Sequence, residues 1–123
     1  MVNYLSERTI ESSVLAGVTF SIVRMSFGRR LELAKQLRSV CSRLEHANAG
    51  TSLDDRLEAA LLAGDIDRMY IEWGLVRVDG LEIDGEPVTP SSLSDKAPEP
   101  FCREVLAAIK AECWLGEEER KNS

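Results

Sequence analysis

Histidine occurs once in these 123 residues, at position 46, and cysteine only three times, at 41, 102 and 113. The cysteines form no Cys-x-x-Cys pair or Cys/His cluster, so the spacing that a tetrahedral zinc site needs is missing. A nucleophilic serine or cysteine needs a base beside it, and His46 falls in the polar end of a helical segment. Cys102 and Cys113 share one predicted helix, about 16 Å apart at roughly 1.5 Å per residue, too far for a disulfide. So few thiols, with no pairing pattern, fit a reducing intracellular setting.

Other signatures are also missing. No Gly-x-x-x-x-Gly-Lys-Ser/Thr loop is present to cradle phosphates. Carboxylates are plentiful, as at Asp65 and Asp67 or at Asp79, Glu82 and Asp84, but their spacing is neither that of a calcium-binding loop nor that of a defined acid/base pair. Neither a cofactor nor a metal is therefore expected, nor is enzymatic activity. No apolar run approaches the roughly 18 residues of a membrane span, and the start MVNYLSERTIESS carries acids where a secretory signal would be basic and then apolar. With no internal repeat and no long linker, residues 1–123 are expected to form a single domain, with flexible ends at 1–8 and 116–123.

Charge is abundant but unevenly placed. Residues 1–50 hold seven Lys and Arg against four Asp and Glu, net +3, and residues 51–123 hold eight against seventeen, net −9. An acidic whole disfavours nonspecific binding to nucleic acid, which depends on clustered Lys and Arg. Opposite halves suit contacts within one molecule, or head to tail between copies.

The hydrophobic pattern predicts an α+β, mainly helical chain with three main helices, an N-terminal β-hairpin and a small β-hairpin before the last helix. Val18, Phe20 and Ile22 alternate with Thr19, Ser21 and Val23, and Ala16-Gly17 supplies a turn before them, which gives the first hairpin between Thr9 and Arg24. Ser26 is a candidate N-cap, with Phe27 expected to anchor the start of the first helix in the core. Leu33, Leu37, Val40, Cys41 and Leu44 share one face of that helix, and Gly50 is expected to close it in a left-handed cap. Ser52 caps a second helix in which Leu53, Leu57 and Leu61 form one apolar row and Leu62, Ile66, Met69 and Trp73 another, a width that suggests burial between two layers. Gly64 in its middle costs about 1 kcal/mol relative to Ala unless another backbone packs there.

Leu75–Val78 and Leu81–Ile83 are short strand candidates, and Asp84-Gly85 is a type I′ turn signal. Thr89-Pro90-Ser91-Ser92 opens a short helical or turn segment. Phe101, Val105, Ala108, Ile109 and Cys113 then make the apolar face of the last helix. Trp114, beside Cys113, is open to two readings: folded onto the domain, or exposed as an anchor for a partner.

The junction SFGRR, residues 26–30, can be read as an anion site, with helix N–H groups and two guanidinium forks, or as the joint between strand and helix. The joint is the reading adopted, with the arginines as decoration. An anion or nucleic-acid binder using Arg24, Arg29 and Arg30 remains the alternative.

Three stretches taken together carry a resemblance: GVTFSIVRMSFGRRLEL, YIEWGLVRVDGLEIDGEPVTPSSL, and a terminal helix closing in GEEERKNS. The chain resembles small tail assembly chaperones of tailed bacteriophages and prophages, with EWGL…GLEIDGE…T as the most distinctive part. The resemblance implies a non-enzymatic factor in the cytoplasm of the bacterial host. It would escort the long tape-measure protein, bring tail-tube subunits to it, and correspond to the short form of a family that also makes a longer, frameshifted one. No residue role transfers from the family. The candidate partner-binding residues come instead from the pattern: Phe27, Arg29, Arg30, Leu62, Ile66, Met69, Trp73 and Trp114, around a groove expected between the first two helices. A homo-oligomer is a further possibility, and no membrane or nucleic-acid partner is expected. The alternative reading is a permanent virion component, such as a head-tail connector or tail-completion subunit.

Overall fold

The strand pattern around Phe20 builds more than a hairpin. In the computed structural model, which describes the backbone of residues 1–122 and the side chains of residues 1–113, β1 (Glu7–Glu11) pairs antiparallel with β2 (Thr19–Val23). Strand β2 then pairs on its other edge with β3 (Leu75–Asp79), giving the order β1-β2-β3. Helices α1 (Phe27–Ala49) and α2 (Leu53–Gly74) lie between β2 and β3 in sequence. After β3 come the short strands β4 (Glu82–Ile83) and β5 (Glu86–Pro87), then α3 (Pro90–Lys96) and α4 (Glu99–Asn122). The fold is α+β and mainly helical, with the N-terminal hairpin and the small later hairpin that the pattern predicts.

By contacts the chain divides into two compact units, residues 26–69 and residues 1–25 with 70–123, so that α2 contributes to both. In the second of these, Phe20 and Ile22 of β2 and Leu75 and Val78 of β3 bury against Phe101, Val105 and Ile109, spaced at successive turns of α4. Phe20 and Phe101 meet edge to face, with ring centroids 5.9 Å apart and planes at 83°.

Leu75 and Val78 are three residues apart, which in a regular strand would put them on opposite faces. The register shifts between Ser21 and Ile22, where Ser21 faces Arg77 but Ile22 faces Leu75. Val76 is therefore the extra residue of a bulge, and the bulge returns Leu75 to the core side. Strand β3, expected only as a short strand with no assigned neighbour, thus completes the N-terminal sheet. The expected I′ turn forms at Asp84-Gly85, between β4 and β5, with φ +54° at Asp84 and +78° at Gly85.

The expected polar face of β2 is also corrected. As the central strand it buries Ser21 and Val23 as well, and Ser21 remains hydrogen-bonded because its hydroxyl lies 2.9 Å from that of Thr9. Strand β1 begins at Glu7, so Glu7 and Arg8, inside the segment expected to be a flexible end, pair with Val23 and Ile22. The other such segment, 116–123, lies outside the described side chains.

The starts of α1, α2 and α3 are each fixed by a local hydrogen bond. Ser26 Oγ accepts from the Arg29 N–H at 3.2 Å. Ser52 and Asp55 cap α2 reciprocally, the Asp55 N–H donating to Ser52 Oγ at 3.0 Å and the Ser52 N–H to Asp55 Oδ2 at 3.3 Å. Thr89 and Ser92 form the same device at α3. Gly50 is extended, with φ −81° and ψ 161°, and not left-handed. It is suited to that place by space: a Cβ there would collide with the Asp55 carboxylate that caps the next helix.

Candidate partner-binding surfaces

The unit of residues 26–69 is formed by α1 and the first four turns of α2, joined through Gly50, Thr51 and Ser52, with Arg43 Nη2 reaching Glu58 Oε1 at 3.3 Å near the connection. At 100° per residue, α1 places Leu33, Leu37, Val40, Leu44 and Ala47 along one side. These are its buried and half-buried apolar residues. The other side carries Phe27, Leu31, Ala34 and Cys41, and there Phe27 is 74% and Leu31 49% exposed. Two expectations fall with this: Phe27 does not anchor the helix in the core, and Cys41 lies off the buried stripe.

The periodicity explains why. Phe27, Leu31 and Ala34 recur at the same helical spacing as the inner row but are rotated about a third of a turn from it, so α1 has two apolar faces and only one is covered. Along the uncovered side runs a groove of about 550 Å³, whose described lining is Leu31, Ala34, Lys35, Arg38, Cys41, Ser42 and Glu45. Its apolar floor is rimmed by basic side chains. Helix α1 as a whole holds Arg29, Arg30, Lys35, Arg38 and Arg43 against Glu32 and Glu45.

Helix α2 repeats the arrangement. Leu62 is buried, with Ala59, Ile66 and Met69 half-buried on the same side. Leu53, Leu57 and Leu61, rotated about half a turn away, are 70%, 55% and 67% exposed. The row expected to lie between two layers is therefore open. A Cβ added at Gly64, on that same open side, would meet nothing within 4 Å.

The sequence-predicted residues separate accordingly. Phe27 is open to a partner, and Arg29 and Arg30 are half-buried beside it in the first turn of α1. Leu62, with 2% of its surface exposed, is an interior residue and cannot contact a partner without unfolding its surroundings. Ile66 and Met69 lie on the same inner side. Trp73 belongs to the other unit and packs against its core, where Nε1 is buried with no hydrogen-bond partner among the described residues. The side chain of Trp114 lies outside the described residues. Pattern reasoning missed Leu31, Leu53, Leu57 and Leu61 as surface residues, because amphipathic spacing identifies apolar rows without saying which row is covered.

No protein-family model, curated protein or solved structure matches the chain. The surfaces must be judged on their own chemistry.

A second cleft, of about 370 Å³, is lined by Ser42, Arg43, His46, Ala47, Asp55 and Glu58. Its charged groups are engaged structurally, Arg43 with Glu58 and Asp55 with the Ser52 N–H. No group of three or more His, Cys, Asp or Glu side chains converges as a metal site among the described residues. No helix is long and apolar enough to cross a membrane among the same residues. Arg24, the other basic residue of the opening junction, lies over the Tyr4 ring at 5.4 Å.

Glu104 on α4 is a carboxylate held by several hydrogen bonds. Ser12 Oγ donates to its Oε1 at 2.6 Å, and the Ser13 N–H and hydroxyl each donate to Oε2 at 2.8 Å. Burial raises the pKa of this carboxyl, but the hydrogen bonds from Ser12, Ser13 and Val14 outweigh it and hold the group below its ordinary value. With Ser12 Oγ also accepting from the Val14 and Leu15 N–H groups, Glu104 organises the turn between β1 and β2.

Proposed function

We propose that this chain is a non-enzymatic binding protein, a tail assembly chaperone of a tailed bacteriophage or prophage, acting in the cytoplasm of the bacterial host. Its client is an amphipathic helical segment of the tape-measure protein, and the docking site is the uncovered side of α1. One observation carries the reading: Phe27 and Leu31 stand exposed one turn apart, and from Leu31 a groove continues along the helix to Glu45. An apolar groove of this kind takes the apolar face of a second helix at successive turns. The basic rim of Lys35 and Arg38 selects a client helix with acidic flanks. Recruitment of tail-tube subunits follows from the sequence resemblance.

The test is co-expression with a tape-measure protein from the same genome. The expected result is a soluble complex that co-purifies and that L31D or F27D disrupts. Failure of the tape-measure protein to co-purify, or a complex indifferent to both substitutions, refutes the reading. The alternative, a permanent virion component, rests on the opposite charges of the two halves, and stoichiometric presence of the chain in purified particles would establish it.

A further inference from the structure

We propose that the client helix forms a two-stranded coiled coil with the uncovered side of α1, carrying an acidic residue opposite Arg38 and a basic residue one heptad along, opposite Glu45. This rests on the reading of that side as a docking site for a helix. Its starting point is a spacing. Phe27, Leu31, Ala34, Arg38, Cys41 and Glu45 follow one another by four, three, four, three and four residues, and all six are exposed. Such alternation keeps a row facing one partner helix along its whole length, from Phe27 to Glu45 about 27 Å at roughly 1.5 Å per residue.

The residues of the row state what the partner must supply. Phe27 and Leu31 offer large apolar side chains, whereas Ala34 and Cys41 are small and leave hollows that large apolar side chains of the client fill. Arg38 and Glu45 interrupt the row with charge. Neither they nor Lys35, one turn before Arg38, has an ion pair or hydrogen bond among the described residues, whereas Arg43, off the row, is engaged by Glu58 at 3.3 Å. Docking takes the seam charges out of water, and a client with an apolar or like-charged residue at the facing position leaves them uncompensated. One polar seam position already sets partner and register. Two of opposite sign, one heptad apart, admit a single charge order.

A second copy of this chain does not meet the requirement. In parallel register each Arg38 faces Arg38 and each Glu45 faces Glu45. An antiparallel pair that sets Arg38 against Glu45 brings Leu31 opposite Ser52 and Phe27 opposite Arg56, both past Ala49, where α1 ends. The apolar half of the row then extends beyond the partner helix. The occupant is therefore a helix of a different chain.

Fluorescence anisotropy with labelled synthetic peptides tests this on the full chain. The matched peptide has three heptads, with leucine at its seam positions except for a glutamate and a lysine at the two that face Arg38 and Glu45. A second peptide exchanges that glutamate and lysine. The matched peptide should bind, and the exchanged one should bind at least about tenfold more weakly. The double variant R38E/E45R, altered only at exposed positions, should reverse the preference with its circular dichroism unchanged. Equal binding of the two peptides overturns the proposal, as does binding that L31D leaves intact or a preference that R38E/E45R does not reverse. A matched peptide that fails to bind while the tape-measure protein co-purifies in an L31D-sensitive complex sinks this inference alone. The ordered peptide preference without capture of the tape-measure protein upholds it and refutes only the named client.

Discussion

Glu104 and Glu112, two turns apart on α4, hold the β1–β2 hairpin at both ends of its second strand. Glu104 takes the hydroxyls of Ser12 and Ser13 in the turn before β2, and Glu112 Oε1 accepts from the Met25 N–H at 3.2 Å just after it. Arg8 of β1 lies 4.0 Å from the second oxygen of Glu112. The helix therefore fixes the hairpin by polar contacts at its ends as well as by Phe101, Val105 and Ile109 along its middle.

Glu104→Ala should cost about 2 kcal/mol, the scale of hydrogen bonds to a charged acceptor together with a turn left unsatisfied. The carboxyl is depressed in the folded state, so its stabilisation is present in full above the ordinary carboxylate pKa and is lost as pH falls through the lower folded value. Urea denaturation midpoints followed from neutral to acid pH should fall less steeply in Glu104→Gln than in the wild type.

Trp73→Phe should leave stability unchanged or raise it. The six-membered ring keeps much of the packing, and the substitution removes a buried N–H without a partner among the described residues, whose burial costs about 1 to 3 kcal/mol. Thermal unfolding decides the point, and a large loss would mean that the indole N–H is satisfied.

Gly74→Ala should destabilise by about 1 to 3 kcal/mol, the usual cost of overpacking. A Cβ at Gly74 would stand 2.6 Å from Cγ2 of Ile109, a buried side chain with little room to retreat. Ile109→Val, which leaves that Cγ position occupied and shortens the other branch, should not rescue it, whereas Ile109→Ala in the same chain should recover part of the loss. Chemical denaturation of the single and double variants measures the coupling.

Phe27→Asp and Leu31→Asp should change stability by less than about 0.5 kcal/mol, as exposed positions do, yet abolish client capture. Denaturation midpoints and co-purification, measured on the same preparations, separate the two effects.

Much of the architecture was legible because local signals agreed with one another. Ser26 and Ser52 caps, the Asp84-Gly85 turn and the Phe101-Val105-Ile109 row all formed where the sequence placed them. The position of β3 was not legible. Its pairing with β2 is long-range, and the bulge at Val76 breaks the alternation by which its core residues would be recognised. The surface was half legible: the rows on α1 and α2 were visible as rows, but which of two apolar faces is covered depends on tertiary packing that spacing does not encode. For that reason Phe27, expected both to anchor the helix in the core and to meet a partner, is open, and Leu62, expected at a groove, is buried.

Strand β2 ends at Val23 and its neighbour β3 begins only at Leu75, with α4 later still. During vectorial synthesis the first hairpin emerges with Phe20 and Ile22 already in place, and a long helical excursion follows before any residue arrives to shield them. Ribosomal passage of the stretch from Phe101 to Ile109 is thus the moment at which the roof begun by Ile71, Val88 and Leu93 is completed, and a chain halted before it would present a half-bare greasy ribbon to the cell.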